Sequence, residues 1–119
     1  MTFYRFHQNN SGGMHIVDDR VTINVFIEAD NDIEADAKAE TVGIYFEGCD
    51  TGMDCECCGD RWYRSDDNDS DNADTPTLYG IPIENHSPAD EYWVKVGEPY
   101  AHVYYKDGRK VTFLKKGKA

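Results

Sequence analysis

The chain has 119 residues, a formal net charge of -11 and a sequence pI of about 4.6. This length predicts a single domain over residues 1–119 with a modest hydrophobic core. The acidity argues against direct contact with nucleic-acid phosphates or anionic membranes. Its usual explanation is solubility, and the alternatives are attraction of a basic protein surface and imitation of nucleic acid. No apolar run is long enough to span a membrane and no signal peptide precedes the first strand-like segment, so we expect a cytoplasmic protein without a membrane partner.

Three segments of the first half have clear periodicity. Residues 2–8 and 21–28 alternate apolar and polar side chains, which predicts two strands. Residues 14–17 can form a short return strand after a polar turn. Residues 30–42 predict the main helix, because Asn31 and Glu34 have capping-box spacing and Gly43 is placed to end it. Ala35 and Ala39 would form the face that packs on a sheet.

All four cysteines lie in one stretch, and this stretch predicts a zinc site. Cys55 and Cys58 form a Cys-x-x-Cys turn, which can present two thiolates to one tetrahedral ion. Gly59 follows and can adopt a positive φ, so the backbone can curl toward the sulfurs. Cys49 is the third candidate ligand.

The fourth zinc ligand stays open at this stage. Cys57 is one candidate, although its neighbour Cys58 makes joint ligation of one ion awkward. The histidines are the others, with His7 and His86 preferred. Free buried thiols are the first alternative to a structural zinc site and a disulfide is the second.

Residues 65–75 are low in complexity and strongly acidic, which predicts an irregular, mobile loop. The spacing of Asp67, Asp69 and Asp71 is similar to the first half of a calcium-binding loop. Asn72 replaces the required glycine, however, and Leu78 stands where a bidentate glutamate is needed. A solvated loop is therefore the default interpretation.

The C-terminal half predicts further strands. Residues 100–106 and 109–115 flank Asp107-Gly108, a strong two-residue hairpin signal. Val111 and Phe113 would share a face and pair with Ala101, Val103 or Tyr105. Residues 77–83 predict an edge strand or loop, residues 92–96 a strand, and residues 115–119 a frayed basic tail. The predicted fold class is α+β: an antiparallel sheet with one main helix packed on it and a cysteine-rich loop.

Motifs for nucleotide binding and for nucleophilic catalysis are absent from the sequence, and no catalytic residue set can be assembled. A polar cluster follows the first strand, where His7, Asn9 and Asn10 begin a turn that ends at Gly13. Such a turn can hold an anionic ligand, although most are simple turns.

The segments 4–13, 27–30, 48–50 and 54–63, which include the YRFHQNNSGG and DCECCGDRWY stretches, resemble a family of small uncharacterised proteins encoded by bacteriophages. The resemblance covers roughly the first half of the chain. It implies a phage source and expression in the cytoplasm of an infected bacterium, and it assigns no catalytic residue. Small phage proteins of this kind often bind a host protein or blunt a defence system.

Three functions follow as hypotheses. The first is a non-enzymatic accessory protein that binds and inhibits a host protein through the acidic loop and the surface around the cysteines; its contact residues would be Trp62, Arg64, Asp67 and Asp69. Trp62 has a second interpretation, as a buried ring that shields the metal turn. The alternative function is sequestration of a nucleotide-type ligand on the turn after His7. A zinc-dependent hydrolase or nuclease ranks last.

Overall fold

The computed structural model describes residues 2–9, 16–54, 59–67, 72–78, 81–83 and 97–114. In chain order the elements are β1 (Thr2–His7), β2 (Asn24–Ala29), α1 (Asp32–Thr41), α2 (Gly48–Thr51), β3 (Thr77–Leu78), β4 (Ile81–Pro82), β5 (Pro99–Tyr104) and β6 (Lys110–Leu114). The predicted strand in residues 2–8 and the predicted helix in residues 30–42 are confirmed with shorter bounds, and the strand predicted in residues 21–28 is confirmed as Asn24–Ala29. Residues 16 and 17 lie in no strand. The predicted strand at 92–96 and the predicted tail at 115–119 fall outside the described residues.

The main sheet has four strands in the order β1-β2-β5-β6. The α+β class is confirmed, and the sheet is mixed where a purely antiparallel one was expected. β1–β2 and β5–β6 pair antiparallel, whereas the central pair β2–β5 is parallel. Parallel neighbours need a long crossover connection. The chain between Ala29 and Pro99 supplies it, and that chain contains α1 and the cysteine loop.

The β5–β6 hairpin forms where its sequence signal predicts, but its loop is longer than the expected two residues, because Tyr104 pairs with Lys110 and the Tyr105 N–H donates to the Arg109 carbonyl. Ala101 pairs with Phe113 and Val103 with Val111, as expected. Gly108 has a φ of 96°, the left-handed conformation that makes glycine the favoured residue in such a turn. β3 and β4 form a separate two-stranded sheet in the segment predicted as an edge strand or loop.

Both ends of α1 are closed by local hydrogen bonds. The Asn31 side chain caps the start by accepting from the Glu34 N–H at 2.9 Å. At the other end Gly43 has a φ of 104°, and the Ile44 N–H donates to the Ala39 carbonyl at 3.1 Å, as in a Schellman motif. Ala35 and Ala39 are fully buried, so the helix lies close against the sheet, while Ile33 is 79% exposed.

The sheet has a hydrophobic core on each face. One core lies between the sheet and α1 and contains the fully buried Trp62 ring; its main members are Tyr4, Phe6, Val25, Ile27, Ala35, Ala39 and Ile44. The second core covers the other face, with Phe3, Phe26, Ile83, Tyr100 and Val103. No helix among the described residues is long and apolar enough to cross a membrane.

Candidate functional site: the base of the cysteine loop

The short helix α2 begins the cysteine loop. Glu47 precedes it with a φ of 58°, a left-handed conformation that is unusual for a residue with a side chain. The next residue but one, Cys49, is partly buried, and its backbone N–H donates to Asp60 Oδ1 at 2.9 Å. This bond joins the start of the loop to its end, so the two sides of the loop are held together at their base.

Asp54 is the central group of this base, and its side chain has no exposed surface. Oδ1 accepts from the Tyr45 hydroxyl at 2.6 Å, and Oδ2 accepts from the backbone N–H of Arg61 at 2.8 Å. Gly48 leaves the space for the carboxylate, because a Cβ there would lie 1.9 Å from Oδ2. One carboxylate therefore connects the chain before the loop with the chain after it.

Arg61 extends the network toward β1. Its Nε lies 3.8 Å from Asp54 Oδ1 and donates to the Tyr45 hydroxyl at 3.1 Å. One terminal nitrogen donates to Gln8 Oε1 at 2.9 Å. Burial, and next the hydrogen bond to Asp54, raise the pKa of Tyr45, so its hydroxyl remains a donor at neutral pH. The network is therefore a buried ion pair with its hydrogen-bonding groups satisfied by protein partners.

Gln8 and Asn9 complete the attachment. The Gln8 amide donates to the carbonyls of Ile16 and Thr22 at 2.9 and 3.1 Å, and its Oε1 also accepts from the Ile16 N–H. Asn9 donates its backbone N–H to the Arg61 carbonyl at 2.8 Å and its side-chain amide to the Asp60 carbonyl at 3.2 Å. These side-chain amides bind the protein itself, which weakens the expectation that this turn presents them to a nucleotide-type ligand. His7 is exposed at the end of β1.

Several predicted site residues fall outside the described residues. These are Cys55, Cys57, Cys58, Asn10, Asp69 and His86. Within the described part of the chain, no group of three or more histidine, cysteine, aspartate or glutamate residues is arranged to hold a metal ion. The zinc site therefore stays a prediction, with Cys49 as its one described cysteine.

His102 is one of the histidines that the sequence offers as a fourth ligand, and its position argues against that role. The ring is 1% exposed. Nδ1 lies 2.9 Å from Thr112 Oγ1 and Nε2 lies 2.8 Å from the Asp18 carbonyl oxygen, so both nitrogens already have partners. A carbonyl can only accept, so Nε2 carries the proton and Nδ1 accepts from Thr112. Burial lowers the pKa of His102, which favours this neutral form.

The aromatic residues after the loop differ in exposure. Trp62 is 1% exposed, so it cannot be the exposed anchor considered above and instead packs in the core beside α1. Among the residues that the structure describes, none is a hydrogen-bond partner of its Nε1–H. Tyr63 is 59% exposed and Met53, on the other side of the loop, is 65% exposed. Among the described residues of this base, Met53 and Tyr63 are therefore the exposed large apolar side chains, and the neighbouring Arg64 is exposed as well.

The Asp67 side chain forms hydrogen bonds within the protein. One of its carboxylate oxygens accepts from the Tyr4 hydroxyl at 2.5 Å and from the backbone N–H of Asp32 at 3.0 Å. The acidic segment is also attached at Ala73, whose N–H and carbonyl pair with Phe3. Asp67 therefore ties the segment to the first turn of α1.

Sequence reasoning located this stretch but missed the residues that hold it. Asp54, Tyr45, Arg61 and Gln8 act as one network. The available signal was the glycine at position 48, next to the cysteines, but nothing in the sequence shows that a buried carboxylate needs the space at that glycine.

Fold and site together define a small α+β domain in which a buried ion-pair network closes the base of a cysteine-rich loop. The whole chain, residues 1–119, matches the family model described as a domain of unknown function (DUF7296), so the chain belongs to that family. The expected membership of a family of uncharacterised proteins is confirmed. No curated protein and no solved structure matches the chain.

Proposed function

We propose that this chain is a non-enzymatic binding protein that captures and inhibits a host protein through the surface at the base of the cysteine loop. The phage source and the cytoplasm of an infected bacterium, which the sequence resemblance implies, are part of the proposal. The observation that carries it is the pair of exposed side chains beside the loop, Met53 and Tyr63, next to a rigid network. Tyrosine, methionine and arginine are enriched in the cores of protein interfaces.

Two further features support binding over catalysis. The polar groups at the site, which are those of Gln8, Tyr45, Asp54 and Arg61, hydrogen-bond one another and so stabilise the fold. The net charge of -11 favours a partner with a basic surface and would speed its association.

The first prediction concerns capture of a partner. Met53→Ser combined with Tyr63→Ser is expected to reduce recovery of a specific host protein from lysate by about tenfold or more, as loss of two interface anchors does. Ile33→Ser is the matched control, because Ile33 is an apolar residue on α1 that is even more exposed than Met53 and Tyr63. The purified partner should lose its own activity when titrated with the wild-type chain. Equal recovery by all three proteins would remove this surface from the interface.

The second prediction concerns zinc. We propose that Cys49, Cys55, Cys57 and Cys58 supply the ligands, with His7 or His86 replacing Cys57 if the adjacent pair cannot bind together. Native mass spectrometry of protein purified without chelator is expected to show one zinc ion per chain, and Cys58→Ser should abolish it. A metal-free mass that rises by about two units on reduction would show a disulfide and contradict the zinc site.

A further inference from the structure

An open cavity of about 240 Å³ lies beside the base of the cysteine loop. Aromatic and charged groups share its lining: Phe46, Glu47, Asp60, Trp62, Tyr63 and Arg64. Arg64 is the one basic residue among them. The cavity therefore combines aromatic rings with two carboxylate residues, which is a favourable environment for a cation.

The side chain of Arg64 already shows which cation fits. Its guanidinium carbon lies 4.7 Å from the centre of the Phe46 ring, within the range of a cation–π contact. Its Nε and one terminal nitrogen both lie 3.4 Å from Glu47 Oε1. A planar guanidinium can stack flat on a ring while its N–H groups bond a carboxylate, whereas a lysine ammonium has no plane that could stack in this way.

The contacts of Arg64 are weak enough to be exchanged. Its side chain is 52% exposed and that of Glu47 is 60% exposed. Exposed ion pairs contribute only about 0–1 kcal/mol, and the 3.4 Å distances are long for charge-assisted hydrogen bonds. An external guanidinium of similar geometry can therefore replace Arg64 at little cost in stability.

We propose that this cavity binds an arginine side chain of the partner protein, which displaces Arg64 from Phe46 and Glu47. The inference rests on the proposed function and adds the chemistry of the partner. The charge argues for this occupant, since a chain of net charge -11 attracts basic surfaces and the cavity itself carries Glu47 and Asp60. Arg64 acts as an internal competitor that occupies Phe46 and Glu47 until the partner arrives.

The test is an NMR titration with the capped peptide acetyl-Gly-Gly-Arg-Gly-Gly-amide, followed at the signals of Tyr63 and the Trp62 indole. Peptides with citrulline or lysine in place of arginine are the probe controls. Arg64→Gln is expected to raise the affinity about threefold or more, because Arg64 no longer has to be displaced from Phe46 and Glu47. Glu47→Gln is expected to lower it by a similar factor.

A second arginine provides the matched control variant. Arg109 lies 4.4 Å above the Tyr105 ring and pairs with Asp107 at 2.7 Å, the same arrangement elsewhere on the chain. Arg109→Gln should leave the peptide affinity unchanged. Equal binding of the citrulline peptide, or an unchanged or lower affinity in Arg64→Gln, would overturn the inference. If the peptide fails to bind while lysate capture still depends on Met53 and Tyr63, the arginine cavity is wrong and the proposed function stands.

Discussion

Gly48→Ala is expected to lower the free energy of unfolding by about 3 kcal/mol, at the upper end of the cost of overpacking a core. The added methyl carbon would lie 1.9 Å from Asp54 Oδ2 and 2.9 Å from the Tyr45 ring. The carboxylate cannot move away without losing the Tyr45 hydroxyl and the Arg61 N–H. Thermal unfolding should show a drop in Tm of about 10 °C or more for a chain of this size.

A double-mutant cycle identifies the cause of this loss. In an Asp54→Ala background the Oδ2 atom is absent and the added methyl group cannot clash with it. Gly48→Ala should therefore lower the free energy of unfolding much less in that background. Equal costs in the two backgrounds would mean that the methyl group acts elsewhere. A Tm within about 2 °C of the wild type for Gly48→Ala alone would contradict the described position of Asp54.

Asp54→Asn is expected to lower the free energy of unfolding by about 3–5 kcal/mol, the usual cost of removing one partner of a buried ion pair. Asparagine keeps the shape of the side chain but replaces one acceptor by an NH2 group. Whichever way the amide turns, a donor then faces either the Tyr45 hydroxyl or the Arg61 N–H. Arg61 also loses its buried counter-charge.

Asp50→Asn is the matched control, because Asp50 is an exposed aspartate in the adjacent helix α2. Its cost should stay within about 0.5 kcal/mol, as for most surface substitutions. Urea unfolding of the two variants measures both values. Similar stabilities for Asp50→Asn and Asp54→Asn would show that Asp54 is no more important than a surface charge.

The parts of the fold that sequence predicted are those with local signals. The hairpin at Asp107-Gly108, the Asn31 cap and the helix end at Gly43 each depend on residues a few positions apart. Alternation in residues 21–28 likewise marks a strand without reference to the rest of the chain. For these elements local chemistry and tertiary packing agree.

The parts that sequence missed depend on contacts between distant segments. The parallel pairing of β2 with β5 joins Asn24 to Ala101, and no residue pattern encodes which strands become neighbours. Asp54 lies among many acidic residues, and the sequence does not distinguish an aspartate that becomes buried from one that stays exposed. The sequence likewise does not show whether the Trp62 ring is exposed or buried. Its position in the core supports the interpretation as a buried ring.

The most direct test of a rigid base for the cysteine loop is native-state hydrogen exchange at the Arg61 amide. This N–H donates to the buried Oδ2 of Asp54 at 2.8 Å, so its exchange should require the network to open. Protection close to that of the core amides of β2 is the expected result, and Asp54→Asn should remove most of it. Exchange of the wild-type Arg61 amide as fast as that of an exposed loop amide would contradict the rigid base on which the proposed binding surface depends.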